Sequence, residues 1–354
     1  MKIAFVLPVP NWKIIGGSKV VYEYANYIAT HGNDVTIFYN ARKGENSKRI
    51  PPFLVYVLRY FIGKFGPSWF PLNKNIHRIV CYSYDQERFE GFDVVIATAT
   101  ETAPDVAKSS SKKIYFVQDF ENWGGRTVEE VNATFKLDFQ LIAISKWLKK
   151  KIKDSSQKEV EYIPDGVDKM IFFEKKSFMD RKPHTLSFLY HDDPRKGCDI
   201  ALRIIKRLKE KYNDFEVYAF GYPKRVSDWP QWIHYKQKAT PEEVSAVMNQ
   251  SKVFLCASRQ EGFGLTGLES LFCGCILVTT DCLGIREYAT NENSFICDVD
   301  DEENLFLSIC QAYEQDSICQ NKRKQAKEIL ETFDAEACKR KFLNYVIKCY
   351  KASI

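Results

Sequence analysis

The feature that most limits the folds open to this chain is an alternation of short apolar runs with helical stretches, met twice in succession. Lys2 to Val9 reads as a buried-type strand, and Val20, Val21, Tyr24, Tyr27 and Ile28 then fall on one side of a helix. Gly32 closes that helix, and Asp34 to Tyr39 is the next strand. A strand–helix–strand opening implies a parallel sheet with a right-handed crossover. Further strands are predicted at Asp93–Ala97, Lys113–Val117, Leu141–Ile144 and Val160–Ile163. The second alternation starts near residue 185, with strands at Leu186–Tyr190, Glu216–Phe220, Trp232–Tyr235, Val253–Cys256, Cys275–Val278 and Ser294–Cys297. Helices such as Cys198–Tyr212 and Pro241–Gln250 lie between them, and the polar stretch Glu174–Pro183 reads as the linker. At 354 residues the chain is too long for one ordinary core and suits two domains. The fold class is therefore α/β: two Rossmann-like, doubly wound parallel-sheet domains, with ligands expected at the carboxyl ends of strands facing a cleft. Residues 43 to 90 fit the alternation poorly. They mix Pro51, Pro52, Pro67 and Pro71 with an aromatic stretch and read as an elaborated loop.

Composition removes several classes of function. A net charge of +5 on 51 basic and 46 acidic residues is too balanced to indicate a nucleic-acid binder. The 11 cysteines are odd in number, scattered through apolar runs and without a CxxC pair, so buried reduced thiols are expected rather than disulfides or zinc. The five histidines are dispersed, and no DxD ends a first-domain strand; Asp192-Asp193 reads as a loop or cap feature, so no metal is expected. The first strand begins at Lys2, which predicts no signal peptide, and no uncharged apolar run reaches membrane-spanning length. The densest apolar run, Phe53–Ile62, is short and carries Arg59. A cytoplasmic location follows as an expectation.

Chemistry concentrates where the strand Val253–Cys256 runs into Glu261-Gly-Phe-Gly-Leu-Thr-Gly-Leu-Glu269. Gly262, Gly264 and Gly267 let backbone approach a ligand closely. The helix that follows presents free amides and a positive dipole end, which suits a phosphate. Glu261 and Glu269 flank the turn and, as carboxylates, are good acceptors for sugar hydroxyls on either side of a diphosphate. A helix-capping turn with two solvated glutamates is the plainer alternative.

The stretch resembles the E-x7-E signature of retaining glycosyltransferases with the GT-B fold, and is most similar to glycosyltransferase family 4. Cys273-Gly274, Thr280-Asp281 and Gly284-Ile-Arg-Glu287-Tyr288 continue the family pattern in order and spacing. The resemblance implies that Glu261 contacts the donor sugar and Glu269 the ribose, while the backbone of Phe263, Gly264 and Leu265, together with Gly262 and Thr266, lies at the phosphate. It places Lys196, in Arg195-Lys196-Gly197, on the diphosphate, with Arg195 beside it. It sets Gly16 and Gly17 against the donor phosphate and acceptor. An Arg usually stands six residues before the lysine, and a His near residue 118. Here those positions are Tyr190 and Gln118. Gln118 cannot act as a base, while Asp119 or Glu121 could, or could merely order the loop. The departure fits a mechanism in which the leaving phosphate oxygen takes the acceptor proton.

Ser145 heads a helix with five lysines between residues 146 and 153, and Pro164-Asp-Gly-Val-Asp168 resembles the hinge into the family's second domain. With Trp147, those lysines are a candidate contact for an anionic membrane, although a solvated helix face is the commoner explanation. The domains expected are 1–170 for the acceptor and 171–335 for the nucleotide-sugar, with the helix 335–354 packing back onto the first. The implied reaction is metal- and cofactor-independent transfer of a hexosyl group from a nucleoside-diphosphate sugar to a sugar or lipid-linked acceptor, with retained configuration. Glu261, Lys196 and Asp119 are the candidate catalytic residues. A non-catalytic nucleotide-sugar-binding subunit and a same-fold epimerase or phosphorylase are the rivals.

Overall fold

The computed structural model describes residues 1–10, 15–41, 51–82 and 86–352, without the side chains of Pro52 and Gln86. The chain divides into two compact units, Met1–Pro164 with Lys339–Ile354, and Asp165–Cys338. The first holds β1 (Lys2–Leu7), α1 (Gly16–Thr30), β2 (Asp34–Asn40), α2 (Pro52–Phe65), β3 (His77–Cys81), β4 (Val94–Ala97), α3 (Ala103–Val106), β5 (Lys112–Val117), α4 (Val128–Lys136), β6 (Gln140–Ala143), α5 (Lys146–Ser156) and β7 (Val160–Tyr162). Its seven strands are ordered β3-β2-β1-β4-β5-β6-β7 and pair in parallel throughout. Every residue of β4 and all but the first of β1 are buried. That is why these runs read as continuously apolar rather than alternating.

The second unit holds β8 (Thr185–Tyr190), α6 (Cys198–Lys211), β9 (Glu216–Gly221), β10 (Ile233–Gln237), α7 (Pro241–Gln250), β11 (Val253–Cys256), α8 (Leu265–Phe272), β12 (Ile276–Thr280), β13 (Phe295–Cys297), α9 (Glu302–Glu314), α10 (Asp316–Leu330) and the start of α11 (Ala335–Lys351). Its six parallel strands run β10-β9-β8-β11-β12-β13. Local sequence sets the helix ends. Thr240 accepts from the Glu243 amide while the Glu243 carboxylate accepts from the Thr240 amide, so α7 begins on a reciprocal cap with Pro241 in its first turn.

Two expectations need correcting. Residues 43 to 90 are not an elaborated loop: they contain α2 and the edge strand β3, which continue the alternation, although 43–50 and 83–85 lie outside the described residues. The aromatic side chains masked an ordinary strand–helix–strand pass, and Gly63 lets it sit close, since a Cβ there would lie 2.5 Å from Val80 Cγ2. Glu174–Pro183 is not a linker. Phe178 is buried in the core of the second unit, and the Arg181 guanidinium donates to the carbonyls of Lys176, Met248, Ser251 and Cys273. Glu174 is paired with Arg323. The division falls instead after Pro164, inside the Pro-Asp-Gly stretch.

The helix α11 changes allegiance along its length. From Lys339 onward it belongs to the first unit. There Phe342 is fully buried, 6.3 Å from the Phe5 ring, 4.4 Å from Tyr24 and 5.1 Å from Phe116.

Candidate functional site

In an open parallel sheet the crevice forms where strand order reverses, outside the carboxyl ends of the two strands that diverge. In the second unit those strands are β8 and β11. The turn after β8 carries Lys196; the turn after β11 carries Ser258 and Glu261. Asp193 caps the short turn Pro194–Lys196 by accepting from the Arg195 amide at 2.9 Å. Gly197 follows with φ +61°, and a Cβ there would collide with the Ala257 carbonyl, so the two turns approach as closely as backbone allows. The Arg259 amide donates to the Arg195 carbonyl at 2.7 Å, and its guanidinium grips Asp199 and Asp300.

Held this way, Lys196 Nζ lies 2.7 and 2.9 Å from the two carboxylate oxygens of Glu261. Ser258 Oγ donates to Glu261 Oε1 at 2.8 Å. Glu261 is buried, and its main chain is tied into the sheet edge by its amide on the Cys282 carbonyl and its carbonyl on the Gly284 amide. A buried carboxylate paired with an ammonium and a hydroxyl is a costly arrangement to leave half-made. With Cys256 and Thr266 these side chains line a small hollow.

The turn continues through Gly264, at φ +86°, into α8. The Tyr288 hydroxyl donates to the Gly264 carbonyl, and a Cβ at Gly267 would lie 2.5 Å from that hydroxyl oxygen. Phe263 is core, against the rings of Tyr288 and Phe333. The Gly267 and Leu268 amides bond to the Gly264 carbonyl. Those of Leu265 and Thr266 stand at the helix N-terminus, where no intrahelical acceptor exists. Glu269 is buried one turn further on.

The structure thus brings together Lys196, Glu261, Gly262, Thr266 and the α8 terminus, but not Arg195. That guanidinium turns back onto Asp193, with Nη2 to Oδ2 at 2.6 Å. Tyr190 faces Trp229 and Tyr235, with ring centroids 4.8 and 5.9 Å away.

In the first unit β1 and β4 diverge. Gly16 and Gly17 open α1 there, and a Cβ on Gly17 would meet the Gln118 carboxamide at 3.4 Å. Gln118 Oε1 and Ser145 Oγ are buried side-chain oxygens with no hydrogen-bond partner among the described residues. Asp119 caps its own loop, accepting from the Phe120 amide at 2.8 Å. Glu121 accepts from the Thr100 amide at 2.9 Å. Burial pushes its carboxyl up to about 7, against the pull of that amide and of Arg126. Ser258, Thr100 and Arg126 escaped the sequence reading. Ser258 sits three residues before Glu261 at a strand end, a position that spacing alone could have flagged.

Among the described residues no group of three or more His, Cys, Asp or Glu could hold a metal ion. Nor is any helix among them long and apolar enough to cross a membrane. All 11 cysteines are buried free thiols.

Solved structures place this architecture in a known class. A sucrose-phosphate synthase from Thermosynechococcus elongatus superposes with a TM-score of 0.78 at 12% identity over 99% of both chains. Anabaena HepE, solved in complex with UDP-glucose, superposes with a TM-score of 0.74 at 13% identity over 98% of this chain and 100% of that one. The fold is GT-B: two parallel-sheet α/β domains. Residues 170–329, within the second unit, match the family model of glycosyl transferases group 1. The chain is also 33% identical over 108 residues to the GPI3 subunit of phosphatidylinositol N-acetylglucosaminyltransferase from Saccharomyces cerevisiae. That match covers 28% of this chain and spans about a quarter (24%) of the relative's length.

Proposed function

We propose that the protein is a retaining, metal-independent glycosyltransferase that moves a hexosyl group from a nucleoside-diphosphate sugar to a hydroxyl of a sugar or lipid-linked acceptor. The observation that carries this reading is the pairing of Lys196 with Glu261 beside the N-terminus of α8. An ammonium and free helix amides are what a departing diphosphate requires, and Glu261 next to them is an acceptor for sugar hydroxyls. Glu269, one turn along, is the acceptor for the ribose. The nucleotide-sugar complex of the HepE neighbour supports UDP-sugars as the first donors to test.

In the proposed step the bond from the anomeric carbon to the phosphate oxygen breaks, and the acceptor oxygen bonds the same face of that carbon. The leaving oxygen takes the acceptor proton. Lys196 and the Leu265 and Thr266 amides stabilise the charge that develops on the diphosphate. That charge also competes with Glu261 for the ammonium, freeing the carboxylate for the sugar. The first unit is proposed to hold the acceptor, with Gln118 and Ser145 as hydrogen-bonding groups whose buried oxygens suit a polyhydroxyl ligand.

A panel of nucleoside-diphosphate sugars, read by thermal shift and then by nucleoside-diphosphate release with glycan and lipid-linked acceptors, tests this. Glu261→Gln should lower kcat by about 100-fold or more, and Glu269→Ala should raise the donor KM by about 10- to 100-fold. Donor binding without turnover in the wild type would favour a non-catalytic subunit. A panel in which no nucleotide-sugar binds would end the reading.

A further inference from the structure

One face of α2 carries apolar side chains that the first unit leaves in solvent. Phe53, Leu54, Leu58, Phe61 and Phe65 are 72%, 54%, 53%, 52% and 71% exposed. At 100° per residue these positions fall on one stripe, and the Phe61 and Phe65 rings stack within it at 5.9 Å. Val55, Ile62 and Gly63 fall on the opposite side and are buried against the sheet. Tyr82, past the end of the neighbouring β3, is also exposed and lies 6.0 Å from the Tyr56 ring of α2. A contiguous apolar patch of this kind on a soluble domain marks something that covers it.

The charge of the segment that carries α2 says what that is. From Pro51 to Tyr82 the sequence contains no Asp or Glu, and Lys64 and Lys74 are exposed cations there, while Arg78 turns inward onto the Gly66 carbonyl. Lys64 projects from the exposed stripe itself, on a stem long enough to lift its ammonium to a headgroup while the rings lie deeper. An aromatic face set in a basic segment without anions complements an anionic bilayer surface, where rings enter the headgroup–acyl boundary and cations meet phosphates. With 14 residues α2 is about 21 Å long, too short to cross a hydrocarbon core of about 30 Å, so it would lie in the plane.

We propose that α2 docks the first unit on a membrane carrying anionic headgroups, with Phe53, Leu54, Leu58, Phe61 and Phe65 inserted. This moves the membrane contact away from α5, the first candidate in the sequence. There Lys146 and Lys151 lie over the rings of Tyr162 and Phe120, and Lys153 pairs with Glu159.

Flotation of the full chain with vesicles of phosphatidylcholine alone, or with about one third phosphatidylglycerol, tests it. The wild type should partition to the anionic vesicles at least about tenfold more than to the neutral ones, and lose most of that in high salt. Phe61→Ser with Phe65→Ser should cut partitioning by about tenfold or more, and Lys64→Glu should weaken it further, with circular dichroism and thermal midpoint unchanged. If the wild type ignores anionic vesicles, or the double variant floats as well as the wild type, the proposal fails. It fails equally if the chain forms a dimer that the double variant dissolves while vesicles have no effect, which would make the face a contact between two copies. The readout needs no glycosyl transfer, so it stands apart from the outcome of the Glu261 assay.

Discussion

Gly197 joins the two turns that carry Lys196 and Glu261, and no other residue type fits its place. Its φ of +61° and the Ala257 carbonyl against its α-carbon both exclude a side chain. Gly197→Ala should cost about 3 kcal/mol or more, because the strain of a left-handed alanine adds to a backbone collision. Urea denaturation of the second unit reads this directly, and a loss under about 1 kcal/mol would mean that the turns separate freely. Glu121 makes a different residue-scale test. The unfolded glutamate loses its proton near 4.5, whereas the folded carboxyl keeps it up to about 7. Between those values the folded state binds more protons, so the contribution of Glu121 to stability falls as pH rises through the window and is level above it. Relative to Glu121→Gln, the wild type should lose about 3 kcal/mol between pH 4.5 and 8. A constant difference between the two would show a carboxyl ionised throughout. The candidate site was only partly legible at this scale. Glu261, Glu269 and Lys196 announce themselves by type and spacing. The direction Arg195 takes is settled by Asp193 two residues away, and the role of Ser258 by the approach of two turns that sequence does not measure.

Among the elements, the strands buried on both faces were readable because their apolar residues run without a break, as in β11 and the first three residues of β12. The edge strand β3 was not, since His77-Arg-Ile-Val-Cys81 alternates and is half exposed. Glu174–Pro183 looked like a linker because its charges are many, yet two of them are built into the unit, Arg181 on carbonyls and Glu174 on Arg323. The helix α11 offers a sharper test of element packing. Phe342→Ala would empty the space between the rings of Phe5, Tyr24 and Phe116. It should destabilise the first unit by about 3–5 kcal/mol. Calorimetry in the presence of a bound nucleoside diphosphate, which should protect the second unit, can separate the two transitions. A midpoint for the first unit that does not move would show that α11 is peripheral to its core.

For the whole molecule, two sheets of the same winding were foreseeable from the repeated alternation, and the place of the candidate site follows from strand order in the second one. What the alternation could not show is that the first unit is made of two distant pieces of chain, Met1–Pro164 and Lys339–Ile354. That has a consequence for the order in which the protein comes off the ribosome. The aromatic faces of Phe5, Tyr24 and Phe116 are translated early, and the ring that covers them is translated after the entire second unit. At ordinary elongation rates the wait is roughly 10 to 35 seconds. During it the leading half of the nascent chain presents an unfinished apolar surface, which only the arrival of Phe342 closes.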